Sequence, residues 1–237
     1  MPEFAYIRHG LPPESFALIQ GALLGSPFIA HSTLSGPFER SHGFAMTFQA
    51  AGREQIEQRF PPLKGYFARV LGEPAMRALQ SRWGRFRKRA VAVPNAWYLN
   101  LLLVGEGGTI GRHIDTTLAR EAGVPGTTPE AVTVLYLRLP QAAGGELKIS
   151  RERRVKAVIR PDEGGLLHFR GDLAHEVLPV QQLPEGAQRA SLVIEQYHFA
   201  QEALARLPQF KLDSRAGFGA YLKHHAQQGP KDFEIES

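Results

Sequence analysis

Between residues 91 and 199 the chain is cut by glycine and proline into short β-rich runs, and this punctuation limits its fold more than any other feature. The runs fall at 97–104, 132–139, 146–149, 155–159, 165–169, 176–180 and 190–199. Repeated short strands with turn residues between them predict an all-β sandwich or barrel rather than βαβ units. Residues 1–90 read as mainly helical support. Pro13-Glu14-Ser15 followed by Phe16, Leu18, Ile19 and Leu23 marks an amphipathic helix. A second helical pattern at 53–60 meets Pro61 and Pro62, which stop or restart it. The pattern continues over 63–71 and 75–89, with Gly72 as the cap between. A closing helix is expected at 201–207, followed by a polar, loose tail after Gly229. The 237 residues thus predict one domain: helical support at 1–90, a β core at 91–199, and a C-terminal helix and tail at 200–237.

The sequence has no cysteine, which removes thiolate zinc sites, thiol nucleophiles and iron–sulfur clusters together. Any metal must be held by histidine and carboxylate. The net charge of +5 is concentrated at Arg82, Arg85, Arg87, Lys88 and Arg89, and again at Arg151, Arg153, Arg154 and Lys156. A solvated helix face and a charged hairpin explain these groups more simply than a polyanion site does. The N-terminus lacks a basic start followed by an apolar run, and no apolar stretch is long enough to span a bilayer. A soluble, cytoplasmic protein with no membrane partner is expected.

Gly105-Glu106-Gly107-Gly108-Thr109-Ile110-Gly111 follows a strand, but it is no dinucleotide fingerprint. Ile110 stands where the third glycine belongs, and neither a P-loop lysine nor a helix start follows. His113-Ile114-Asp115 is more informative. In an extended segment residues i and i+2 share a face, so this imidazole and carboxylate can meet at one point. A second histidine would complete a facial triad with three open positions, the arrangement suited to iron(II) oxygen chemistry. Two histidines compete for that place, His168 and His175. His175 is favoured, because it follows a Gly171-Asp172 turn and opens a strand, where loops carry function. Arg189 opens the run 189–194 and shares a strand face with Ser191, and a guanidinium beside a hydroxyl suits a carboxylate.

Four blocks occur in order: Gly105-x-Gly107-Gly108 with His113-x-Asp115; Leu135-Tyr136-Leu137 with Gly144-Gly145-Glu146-Leu147; His175-Glu176-Val177-x-Pro179-Val180; and Arg189-x-Ser191-Leu192. Together they resemble the 2-oxoglutarate/Fe(II)-dependent dioxygenase superfamily, in its prolyl 4-hydroxylase-like branch. The resemblance spans about 91–199. It implies a mainly β fold, a double-stranded β-helix (jelly-roll, cupin-like) core flanked by N-terminal and C-terminal helices. It further implies that His113, Asp115 and His175 bind Fe(II), and that Arg189 pairs with the distal carboxylate of 2-oxoglutarate. O2 is then the oxidant, succinate and CO2 are co-products, and ascorbate serves as an optional reductant. Halogenating relatives lack the metal carboxylate, so the presence of Asp115 points to hydroxylation.

The sequence also departs from the family. Many relatives carry tyrosines nine and three residues before the first ligand histidine, where this chain has Val104 and Ile110. Tyr98 and Asn100, on the same strand, are the candidate replacements. Residues 116–131, rich in Gly, Pro and Thr, are read as a lid. Arg112, Arg120 and Arg138 are candidates to meet an anionic group on the substrate. The expected substrate is an amino acid or related small molecule. The alternatives are a protein side chain or nucleic acid, and a jelly-roll binding module without catalysis.

Overall fold

The computed structural model describes residues 3–29, 41–79 and 92–214. Seven strands form the larger sheet: β1 (Phe4–Ile7), β2 (Ser41–Gln49), β3 (Ala96–Val104), β5 (Ala131–Arg138), β9 (Leu166–Phe169), β12 (Arg189–Tyr197) and β13 (Phe210–Asp213). Their spatial order is β1-β9-β5-β12-β3-β2-β13, with every pairing antiparallel. The smaller sheet runs β4 (Ile110–His113), β10 (Ala174–Val177), β7 (Leu147–Arg151) and β8 (Arg154–Ile159). A two-stranded ribbon joins β6 (Ala143–Gly144) to β11 (Val180–Gln181). Two antiparallel sheets facing each other across an apolar interior are the expected double-stranded β-helix architecture.

Strand periodicity sorts the core into two layers. On β3, Leu99, Leu101 and Leu103 turn outward to helices α1 (Pro13–Leu24), α2 (Ala50–Arg59) and α3 (Pro62–Val70), which bury Ile19, Leu23, Ile56, Leu63 and Phe67 against them. The alternate residues Asn100, Leu102 and Val104 face the space between the sheets, with Val134 and Tyr136 of β5 and Ile149 of β7. One face of the large sheet is therefore the helix-backed core, and the other is the wall of a cavity.

The N-terminal support is less helical than its sequence suggests. β1 closes one edge of the large sheet, and the nine-residue β2 pairs along the whole of β3. Phe44, Met46 and Phe48 alternate in β2 as a strand requires. The helical patterns on either side of so short a period-two run concealed it. Gly72, at φ +67, sits between α3 and the short helix α4 (Glu73–Leu79), the conformation expected of a C-terminal cap. The basic group at 82–89 and the tail after Gly229 lie outside the described residues.

Residues 116–131 begin with helix α5 (Thr117–Glu121), not with an open loop. Leu118, Ala119 and Ala122 are buried with Ala96, Tyr197, Phe199, Ala203 and Leu207, the last two in and beside the closing helix α6 (Gln201–Leu204). The first third of the expected lid is thus packed down. Half of the basic group at 151–156 is paired: Arg151 bonds Glu3 at 2.7 Å and Asp172 at 3.1 Å, and Lys156 reaches Glu3 at 3.3 Å.

Candidate active site

β4 and β10 are antiparallel neighbours, and their register places His113 directly opposite His175. A cross-strand pair brings side chains on one face into contact, and the two imidazole centroids are 4.3 Å apart. Asp115 joins them from beyond the end of β4. Its Oδ1 lies 3.3 Å from His113 Nε2, and its Oδ2 lies 3.5 Å from His175 Nε2. One ligand atom from each of the three residues falls within 4.8 Å of the others.

The protons of this cluster point away from its centre. His113 Nδ1 is 2.7 Å from the carbonyl of Gly111, and His175 Nδ1 is 3.3 Å from that of Leu173. A carbonyl can only accept, so each Nδ1 carries the proton and each Nε2 presents a lone pair. With both imidazoles neutral, two lone pairs and a carboxylate converge on one point. Asp115 Oδ2 is buried and has no hydrogen-bond partner. This donor set repels itself unless a cation sits at its centre, which is the chemistry of a metal site with backbone carbonyls orienting its ligands. Burial pulls the pKa of His175 below its ordinary value, with Asp115 opposing. Burial acts the same way on His113, but the hydrogen bond and charge of Asp115 leave it raised. Burial alone would raise Asp115; the two histidines outweigh it and hold the carboxyl below its usual range.

His168, the rival histidine, is elsewhere. It is buried on β9, with Nδ1 2.9 Å from Thr133 Oγ1, and burial lowers its pKa to about 4.

Along the inner face of β12 run Arg189, Ser191, Val193 and Glu195, all lining one cavity with the His–Asp–His cluster. Arg189 is 6 % exposed, and its guanidinium lies 5.4 Å from the centre of the Tyr136 ring and donates to the Gly145 carbonyl. It forms no ion pair with a described acid, although the more distant Glu146 partly offsets the lowering of its pKa by burial. A buried cation without an anion is costly, so this end of the cavity fits a carboxylate ligand. Gly144 and Gly145 adopt φ of +71 and +73, and a Cβ at Gly145 would stand 2.8 Å from Arg189 Nη1. Gly145 lets the guanidinium pass, while Gly144 makes room for the Pro179 carbonyl.

Two more unpartnered polar atoms line the cavity: the buried hydroxyl of Tyr136 and Oδ1 of Asn100. Tyr98 is not among the lining residues; it packs beside Ala96, Leu118 and Tyr197. The register also sets it far from Arg189. Tyr98 pairs with Glu195 and Val104 pairs with Arg189, six residues apart, or roughly 20 Å along a strand. Tyr136 pairs with Ser191 and lies beside the arginine. The phenol nearest the guanidinium is thus on β5, not on β3. Its signal was present in Leu135-Tyr136-Leu137, where strand alternation turns only the middle residue inward.

Glu195 is the other lining residue that carried no motif. It is 4 % exposed, accepts from Thr117 Oγ1 at 2.8 Å, and takes a second hydrogen bond from Tyr197. Burial, and then the negative charge of Asp115, push its pKa well up. Arg112, Arg120 and Arg138 do not line the cavity. Arg112 points outward, bonded to Ser150 Oγ and to the Glu152 carbonyl.

Residues 97–194 match the family model described as the 2OG-Fe(II) oxygenase superfamily. No curated protein matches the chain. Among solved structures, a prolyl-4-hydroxylase from Pseudomonas putida superposes with a TM-score of 0.54 at 17% identity, covering 84% of this chain and 95% of its own. A Trichoplax adhaerens prolyl hydroxylase, in complex with a hypoxia inducible factor peptide fragment, gives 0.55 at 16% identity, covering 88% and 89%. A 2OG-Fe(II) oxygenase family oxidoreductase from Burkholderia pseudomallei gives 0.51 at 17% identity, covering 82% and 84%. At such identities the superpositions speak for the fold, and the family match covers the segment 97–194. Over that segment the chain is similar to the 2OG-Fe(II) oxygenase superfamily.

Proposed function

We propose that His113, Asp115 and His175 hold iron(II), and that Arg189 anchors the far carboxylate of 2-oxoglutarate. The observation that carries this reading is the pair of complementary needs in one cavity: three converging lone-pair donors at one end and a buried guanidinium without an anion at the other. When bound, iron with 2-oxoglutarate and O2 supplies the oxidation of a substrate C–H bond to an alcohol, with succinate and CO2 as co-products.

The chain's own residues bind and orient. Arg189 donates to the distal carboxylate, Tyr136 adds its hydroxyl, and Ser191 on the same strand face offers another donor. Asn100 Oδ1 faces the same cavity, further from the arginine. Leu102, Val104, Ile110, Val134, Leu147, Val177 and Val193 make the remaining wall apolar. Such a wall excludes water from the reacting centre and strengthens every charged contact inside it. Asp115 supplies a carboxylate where a halide would otherwise bind, in keeping with hydroxylation.

The substrate is proposed to be an amino acid or related small molecule whose apolar part enters this narrow cavity. With Arg112, Arg120 and Arg138 outside it, a substrate carboxylate must be met at the rim and not within. A protein side chain is the second reading, favoured by the peptide held by the Trichoplax relative. Pairing of Arg151 and Lys156 with Glu3 and Asp172 removes part of the basic surface that a nucleic acid would need.

Succinate formation by the iron-loaded protein tests the reading, with free amino acids and peptides added in turn. Stimulation by free amino acids supports the first substrate class, and stimulation by peptides alone supports the second. Absence of 2-oxoglutarate turnover under every condition would refute both.

A further inference from the structure

Asp115 differs from its two histidine partners in how it is held. His113 and His175 sit on strands, opposite each other in a hydrogen-bonded ladder, each with Nδ1 tied to a carbonyl. Asp115 lies in the connection 114–116, after β4 has ended and before α5 begins. Its Oδ2 has no hydrogen-bond partner, and Thr116, at the N-cap of α5, makes no side-chain capping bond. Neither ladder nor cap fixes the carboxylate, and a helix of five residues is too short to stand alone.

Apolar burial of Leu118 and Ala119 holds α5 down, and the polar contact that fixes its first residue comes from a side chain of the opposite sheet. Glu195, buried in the middle strand β12, accepts the Thr117 hydroxyl at 2.8 Å and also takes the Thr117 backbone N–H. Thr117 is two residues beyond Asp115. The other oxygen of Glu195 is braced by the Tyr197 hydroxyl, so the carboxylate cannot turn away from Thr117. β12 itself is bonded along nearly its whole length to β3 and β5, which makes it a rigid base. The chain from Asp115 to Thr117 is therefore clamped at one end by the β4 strand and at the other by Glu195.

We propose that Glu195 is a positioning residue for the metal site: through Thr117 it sets the carboxylate of Asp115 against His113 and His175. The inference rests on the ligand reading above. It assigns Glu195 no contact with iron, and it concerns metal affinity, not the identity of the substrate. Partners that orient a ligand change metal affinity by about 10–100-fold when removed, and Glu195 belongs in that range.

Co(II), followed by its ligand-field absorption, is the probe, with Glu195→Ala, Glu195→Gln, Thr117→Val and Tyr197→Phe compared with the unmodified chain. Glu195→Ala is expected to weaken Co(II) binding about 10–100-fold. Glu195→Gln keeps an acceptor oxygen for Thr117 and should recover most of that loss. Thr117→Val removes one of the two bonds and should fall between. The Glu195→Ala/Thr117→Val double variant should bind no more weakly than Glu195→Ala alone, because both changes cut the same link. Tyr197→Phe, which leaves Thr117 held, should have the smallest effect. Losses that add in the double variant, or Co(II) affinity unchanged in folded Glu195→Ala, would overturn the proposal. If Glu195→Ala does not fold, Glu195→Gln and Thr117→Val decide: Thr117→Val at full affinity overturns it. Failure of the unmodified chain to bind Co(II) would instead bring down the ligand assignment itself.

Discussion

The two ends of the cavity are built by different means. The end that carries Arg189 is made from three long strands, β3, β5 and β12, whose pairing fixes Arg189, Ser191 and Tyr136 relative to one another. The end that carries the His–Asp–His cluster is made from two four-residue strands, a register shift between His175 and Val177, and a connection outside any ladder. The first is rigid because backbone hydrogen bonds set it. The second depends on single side-chain contacts, and its parts lie far apart in the sequence. Anchoring a co-substrate tolerates a fixed frame. In the proposed reading, the centre that admits metal, co-substrate, oxygen and substrate is the one with fewer backbone bonds around it.

If this contrast is right, substitutions at the two ends should separate cleanly. The largest effect is expected at the cluster, where His175→Ala should abolish iron binding and succinate formation while leaving the fold intact, checked by metal analysis and thermal unfolding. Retention of full activity would remove His175 from the ligand set. Next comes Arg189→Ala. Truncating one partner of a buried charged pair costs about 2–5 kcal/mol, so the concentration of 2-oxoglutarate needed for turnover should rise roughly 30-fold or more, with iron affinity nearly unchanged. An unchanged requirement would place the co-substrate elsewhere.

The large sheet also makes a prediction about acid. His168 is buried and neutral, with a folded-state pKa of about 4 against 6.5 for the exposed group. As pH falls below 6.5 the unfolded chain takes up a proton that the folded chain refuses. The stabilisation is whole above pH 6.5 and is lost progressively as pH falls toward 4, by about 3 kcal/mol from this residue. Denaturant midpoints at pH 7.5 and 4.5 should differ in the unmodified chain and differ less in His168→Gln. Equal pH dependence in both would show that His168 is not buried as described. Smallest is Tyr136→Phe, which removes one hydrogen bond to a charged ligand, about 1.5 kcal/mol or roughly a tenfold higher 2-oxoglutarate requirement. No change would leave the unpartnered hydroxyl without a ligand to meet.

The same contrast decides what could be read from the chain before its structure. Arg189 and Ser191 were legible because a nine-residue strand enforces a period of two, and the facing of one residue gives that of the next. His113 and His175 were legible as candidates, but only the ladder shows that they lie directly opposite. Asp115 was picked by strand reasoning although it is not on a strand; it converges with His113 because the connection bends and is held there. Glu195 shares the face of Arg189 and Ser191, so alternation along β12 pointed it inward, but its partner Thr117 is a contact between distant segments that no spacing reveals. β2 is hidden by its helical surroundings, and of the two candidates on β3 Asn100 lines the cavity while Tyr98 does not, a difference that alternation alone does not predict for residues on one face.

Anaerobic equilibrium dialysis against Fe(II), with and without 2-oxoglutarate, tests the central claim most directly. The chain should bind a single iron, and more tightly when 2-oxoglutarate is present, whereas His175→Ala should bind none and Arg189→Ala should bind iron but lose the gain from 2-oxoglutarate. Iron bound equally by the unmodified chain and His175→Ala, or by neither, would contradict the account.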